Sequence, residues 1–108
     1  GYKQIDINKI LENVIFFFFN YLGYRITIGQ LKDRGIDFVC QKKDKTVYVQ
    51  AAYQITEGNQ TREFGNLLAI PDNFPKYVVS MDDMMQDKYE HKGIRHIHLR
   101  SFLAISDL

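Results

Sequence analysis

The sequence predicts an α/β (α+β) domain in which a mixed sheet is flanked by helices, with a core in the order αβββαβ. Three observations carry that expectation. Apolar residues recur at helical spacing near the N terminus. Three short runs rich in Val, Ile, Phe and Tyr follow, divided by polar turns. A second helical segment then leads into a continuous apolar strand, the pattern of a crossover connection.

The 108 residues suit one domain spanning 1–108, long enough to bury a single core and too short for two. Hydrophobic residues at 45% and charged residues at 25% exclude the low-apolar signature of a disordered chain. A net charge of +1 leaves no global field to recruit nucleic acid or an anionic membrane, so any polyanion contact must come from a local patch. Cys40 is the only cysteine, which excludes an internal disulfide and suits a reducing, cytoplasmic location. The run VIFFFF is interrupted nearby by Glu12, Asn13 and Asn20, and falls well short of the ~20 apolar residues that span a bilayer. It reads as a helix with no membrane role. The chain opens on Gly1-Tyr2-Lys3 without an initiator Met, and a longer natural protein is expected.

Residues 6 to 22 form the first predicted helix, with Asp6 or Asn8 as cap and Gly23 as stop. Ile7, Leu11, Val14, Ile15, Phe18 and Leu22 share one stripe. Phe16 and Phe17 fall outside it, toward Lys9, Asn13 and Asn20, and are expected either to be covered by further chain of a longer protein or to offer a surface for a protein partner or for self-association. Residues 24 to 28 alternate as a short strand, and GQLKDRG reads as a loop. Thr56 or Asn59 caps a second helix with Phe64, Leu67 and Leu68 inward, ended by Pro71. PDNFP is a turn, and residues 76 to 81 form a strand buried on both faces. Residues 82 to 92 read as a polar loop, 94 to 99 as the last strand and 100 to 108 as a terminal helix.

The stretch with chemistry is the hairpin from Ile36 to Tyr53, with Lys42 to Lys45 as a four-residue loop. Pairing Gln41 with Thr46 places Asp37 opposite Gln50 on one face. An aspartate in a strand needs a reason, and the candidates are nearby backbone amides, Arg34, or an amide N–H from Gln50.

Several segments carry a family likeness: IDFV at 36–39, YVQAA at 48–52, LENV at 11–14, GY at 23–24, REFGNLL at 62–68 and PKYVVSMD at 75–82. With the element order, they resemble the PD-(D/E)XK nuclease superfamily and its restriction-endonuclease-like fold. More narrowly, they resemble the uncharacterised C-terminal domain that follows an AAA-type P-loop ATPase in many bacterial and archaeal chains. The likeness covers nearly the whole sequence.

In that superfamily an acid on the second core strand and an E-x-K on the third hold Mg²⁺ and activate water. The matching positions are Asp37, Gln50 and Ala52, with Glu12 as the helix glutamate that some members add. Two of these depart from the pattern. Mg²⁺ prefers anionic oxygen, and hydrolysis needs a cation near the developing charge, whereas Gln50 offers one neutral oxygen and Ala52 nothing. The resemblance therefore implies a catalytically degenerate accessory module without a cofactor, working as a binding or regulatory unit. It implies an ATPase domain upstream in the same chain, since no phosphate-binding G-x-x-x-x-G-K-[ST] occurs here. The alternative is an active Mg²⁺-dependent DNA nuclease using Glu12 and Asp37, with Lys76 or Lys32 as a migrated cation.

Other constellations are bland. His96 and His98 share a strand face but lack a third metal ligand, and are read as half-exposed. His91 sits in the polar loop. Lys42, Lys43 and Lys45 form a basic tip read as a solvated turn. Cys40 points away from Asp37 and is read as core.

Overall fold

A computed structural model describes residues 4–31, 34–83 and 90–108, with side chains described over 6–29, 35–83 and 90–108. Helix α1 (Gln4–Tyr21) precedes strands β1 (Arg25–Leu31), β2 (Arg34–Lys42) and β3 (Lys45–Ala52). Helix α2 (Glu57–Leu68) crosses to β4 (Lys76–Ser80), and β5 (Glu90–His91), β6 (Ile94–His98) and α3 (Leu99–Leu103) complete the chain. The predicted order αβββαβ and the mixed sheet flanked by helices are what the chain adopts.

The six strands lie in the order β1-β2-β3-β4-β6-β5. β1, β2 and β3 run as an antiparallel meander, β3, β4 and β6 are parallel, and β5 returns antiparallel along β6. Two apolar layers cover the sheet. On one face Leu11, Ile15 and Phe19 of α1 and Phe102 of α3 pack on Cys40, Val47, Val49, Val79 and Ile97. On the other, Phe64 and Leu67 of α2 pack on Ile36, Val78 and Ile94. β4 is buried at every position, Lys76 and Ser80 included, as a strand covered on both faces should be.

The differences from expectation have local causes. α1 begins at Gln4, so Asp6 lies in its first turn and Asn8 inside it; neither is a cap. The side chain of Asn8 instead accepts the Tyr53 N–H at 2.9 Å, satisfying the backbone just past β3. Phe19, left off the predicted stripe, is fully buried, because the helix meets Tyr24 and Phe102 on that side. Thr56 and Asn59, posed as alternative caps, act together as a capping box: Thr56 Oγ1 accepts from the Asn59 N–H and Asn59 Oδ1 from the Thr56 N–H. Leu68, expected inward, is exposed.

The hairpin loop is shorter than four residues. Lys42 pairs with Lys45, leaving Lys43-Asp44 as the turn, with Lys43 in the left-handed region. The loop read over residues 82 to 92 contains β5, joined to β6 by Lys92-Gly93, both at positive φ, as a type I′ turn requires. The segment GQLKDRG is largely strand: β1 runs to Leu31 and β2 starts at Arg34. Lys32 and the side chain of Arg34 lie outside the described residues.

Between β1 and β2 the register changes. Thr27 faces Val39, yet Gly29 faces Ile36, so Ile28 alone stands across from Asp37 and Phe38. One extra residue in β2 makes a β-bulge at Asp37-Phe38. Gly29 permits the tight approach there, since a Cβ on it would lie 2.6 Å from Val39 Cγ2 and 3.0 Å from Ile36 Cβ.

Candidate functional site

The bulge creates the site. β2–β3 pairing keeps the predicted register, Gln41 with Thr46, from Lys42–Lys45 to Phe38–Val49, and at the next positions Asp37 and Gln50 meet through side chains in place of ladder bonds. Side chains take over the ladder. The Asp37 N–H donates to Gln50 Oε1 at 2.6 Å, and Asp37 Oδ2 accepts the Ala51 N–H at 2.8 Å. Each residue thus satisfies main chain that the bulge leaves unpaired. The expectation that Gln50 donates its amide to the Asp37 carboxylate is corrected: the amide carbonyl accepts from the Asp37 backbone.

Gln50 is 4% exposed and turns its Nε2 toward Glu63 Oε2, 3.4 Å away. Glu63, on α2, is itself buried, and its Oε1 accepts from the Arg62 guanidinium at 3.0 Å. Three carboxylates therefore share one electrostatic neighbourhood. Burial pushes Asp37 above the usual aspartate range, against the Ala51 N–H and the Arg62 charge, which lower it. Burial likewise raises Glu63, opposed by the bond from Arg62 and reinforced by the Asp37 charge. Burial raises Glu12 as well, with Asp37 adding to the shift and Lys9 opposing it.

Glu12, Asp37 and Gln50, named from sequence, are electrostatically or directly linked. Ala52 is buried and contributes no polar group. Glu63 and Arg62 were missed, although Glu63 lies four residues before the inward Leu67, so helical spacing puts it on the same face.

Lys76, named as a candidate migrated cation, is engaged by Asp72 and Phe74. Its three amino protons match three acceptors, the Asp72 carbonyl (2.6 Å), Asp72 Oδ1 (2.9 Å) and the Phe74 carbonyl (2.9 Å). Tyr48 donates to Asp72 Oδ2 at 2.6 Å, and although burial opposes it, these bonds hold the Asp72 carboxyl below its ordinary value. This network anchors the start of β4. The cation that Asp37 senses is Arg62.

The donor set does not fit a divalent ion. One Asp37 oxygen is engaged by Ala51 and the Gln50 oxygen by Asp37, and among the described residues no three His, Cys, Asp or Glu side chains gather closely enough to hold a metal. A hard cation needs several oxygens aimed at one point.

His96 and His98 are buried rather than half-exposed. His96 Nε2 shares a 2.6 Å hydrogen bond with Ser80 Oγ, which also accepts the Asp82 N–H at 3.2 Å. His98 Nδ1 accepts the Arg100 N–H at 3.0 Å as the cap of α3, and Asp83 lies 3.3 Å from its Nε2. Both hold strand ends. His91, on β5, meets the Phe64 ring edge-on.

Lys42 is tied down at the basic tip: its Nζ donates to the Leu22 carbonyl at 2.8 Å, above the Tyr24 ring. Lys43 and Lys45 are solvated or nearly so. Cys40 is fully buried, and burial pushes its thiol up to about 12, which removes it as a nucleophile. Phe16 and Phe17 do face outward, Phe17 at 66% exposure, with Ile10 and Tyr21 beside them on α1. Among the described residues no helix is long and apolar enough to cross a membrane.

No family model matches this chain. An uncharacterized protein of Haemophilus influenzae (strain ATCC 51907 / DSM 11121 / KW20 / Rd) is 34% identical over 103 residues, which cover 95% of this chain and 25% of that protein. The chain thus spans about a quarter of the length of the relative it matches.

Proposed function

We propose that this chain is a PD-(D/E)XK nuclease-like module that has kept the shape of its ancestors and lost their chemistry, serving as a cytoplasmic binding or regulatory unit beside an ATPase domain of the same polypeptide. The observation that carries this reading is the Asp37–Gln50 arrangement. At the position of the metal-binding glutamate stands an amide whose oxygen is engaged by main chain, and at the position of the lysine stands Ala52. Lys76, one of the two lysines considered for a migrated cation, is engaged by Asp72 and Phe74. The longer relative supports a chain with further domains, and the outward Phe16 and Phe17 support a protein partner.

The test is direct. Purified protein with plasmid or single-stranded DNA and Mg²⁺ or Mn²⁺ is expected to leave the DNA intact. Cleavage that disappears in Asp37→Ala overturns the proposal in favour of an active nuclease, as does a micromolar Mn²⁺ isotherm lost in the same variant. Filter binding across a salt series decides whether the partner is nucleic acid, because phosphate contacts weaken steeply as salt rises.

A further inference from the structure

Helix α1 carries a second apolar line besides the one it packs on the sheet. Ile7, Ile10, Val14, Phe17 and Tyr21 follow one another at intervals of three, four, three and four residues, the spacing that keeps side chains on the seam between two paired helices. The inward stripe is a different set, Leu11, Ile15 and Phe19. On the seam Ile10 is 48% exposed, Phe17 66% and Tyr21 87%. Phe16 is rotated about 100° from Phe17 and stands off the seam.

The chemistry of the seam selects its partner. Between Ile10 and Tyr21 the only charged residue is Glu12, which helical geometry turns to the far flank, where it senses Asp37. The outer flank carries two exposed amides, Asn13 and Asn20. A charged partner finds no opposite charge there, whereas an identical uncharged seam meets no repulsion. Laid antiparallel on a copy of itself, the seam sets Ile10 across from Tyr21 and Val14 across from Phe17, an aliphatic chain against an aromatic one in every layer. The Asn13 amide then lies beside Asn20 of the copy, and the two helix macrodipoles oppose each other. A parallel pair instead crowds Phe17 on Phe17 and Tyr21 on Tyr21 at one end and aligns the macrodipoles.

We infer that α1 pairs with α1 of a second copy of this chain, antiparallel and centred between Val14 and Phe17, in a reversible dimer. The exposed side chains of the seam offer roughly 400 Å² per copy, which with the flanking amides approaches ~1,000 Å² in total, the size of a weak and transient interface. The partner so named rests on the reading of this face as a protein-binding surface and requires nothing of the nuclease-like ancestry.

The test is sedimentation equilibrium of the 108-residue chain across about 10–500 μM. The wild type is expected to pass from monomer to dimer. Phe17→Ser and Tyr21→Ser are each expected to weaken the dimer about tenfold or more, and Ile28→Ser, on the outer strand β1, to leave it unchanged, with every variant folded by circular dichroism. Air oxidation fixes the direction: a mixture of Asn13→Cys and Asn20→Cys chains is expected to form a disulfide-linked dimer, whereas Asn20→Cys alone does not. Cys40 is fully buried and does not compete. A wild type that stays monomeric throughout, the result if further chain of a longer protein is what covers this face, overturns the inference. So does a dimer weakened by Ile28→Ser and by neither seam variant, or a ready disulfide in Asn20→Cys alone. DNA cleavage by the chain would end the nuclease-like reading and leave the dimer standing.

Discussion

Gln50 is the residue on which the site turns, because it bridges the Asp37 backbone and the Glu63 carboxylate while staying neutral. Replacing it by glutamate puts a third buried charge beside two carboxylates already raised by burial. Gln50→Glu is expected to lose about 2 kcal/mol at pH 7, part of it regained at pH 5 as the cluster takes up protons, measured by urea denaturation at both pH values. The aspartate was legible in the sequence as an acid out of place in a strand, and so were Gln50 and Ala52 as departures from a pattern. The partner atoms were not legible. Strand alternation assumes an unbroken ladder, and a bulge, which depends on Gly29 accommodating Val39 and Ile36 from another strand, leaves no local signature in IDFV itself. Glu63 was hidden for a different reason: a helix glutamate is ordinarily solvated, and its burial is made tolerable by the neighbouring Arg62 guanidinium together with the amide of Gln50 in the sheet.

At the scale of elements, the hairpin β1–β2 depends on a glycine and α2 on its cap. Gly29→Ala forces a Cβ against Ile36 and Val39 and is expected to cost about 2 kcal/mol, with the Asp37–Ala51 contact disturbed as well; thermal denaturation and the amide exchange of Ala51 report both effects. Thr56→Ala removes one half of the capping box and is expected to cost about 1 kcal/mol, read from the same melts. Helices and the β2–β3 hairpin were readable because their periodicities are local and their stops are Gly and Pro. β5 was not, since two residues pair only because β6 already offers an edge and Lys92-Gly93 folds the chain back. Phe19 was missed because a run of four phenylalanines satisfies every helical phase, and the packing partners Tyr24 and Phe102 choose among them.

For the whole molecule, two groups of carboxylates pull the pH dependence of stability in opposite directions. Glu12, Asp37 and Glu63 are raised, so the folded chain holds more protons than the unfolded one just above the ordinary values of 3.8 and 4.5, and stability rises as pH falls from neutrality into that window. Asp72 is lowered, so its contribution is present above its ordinary value of 3.8 and is lost as pH falls through its folded value. The expected profile has its maximum on the acid side of neutrality and falls below it, measured by urea midpoints between pH 3 and 8; Glu63→Gln flattens the rise. The apolar face of α1 makes a separate prediction: Phe17→Ser is expected to change stability by less than about 0.5 kcal/mol, as a residue 66% exposed should, while reducing any self-association seen by analytical ultracentrifugation.

The two margins of the sheet are unlike. β5 presents a rim of two residues, whereas β1 presents seven, with Ile28 83% exposed at its middle. Among the described residues β1 is thus the longer margin for a strand of a neighbouring molecule to join, and two copies meeting there along it would do so about a twofold axis.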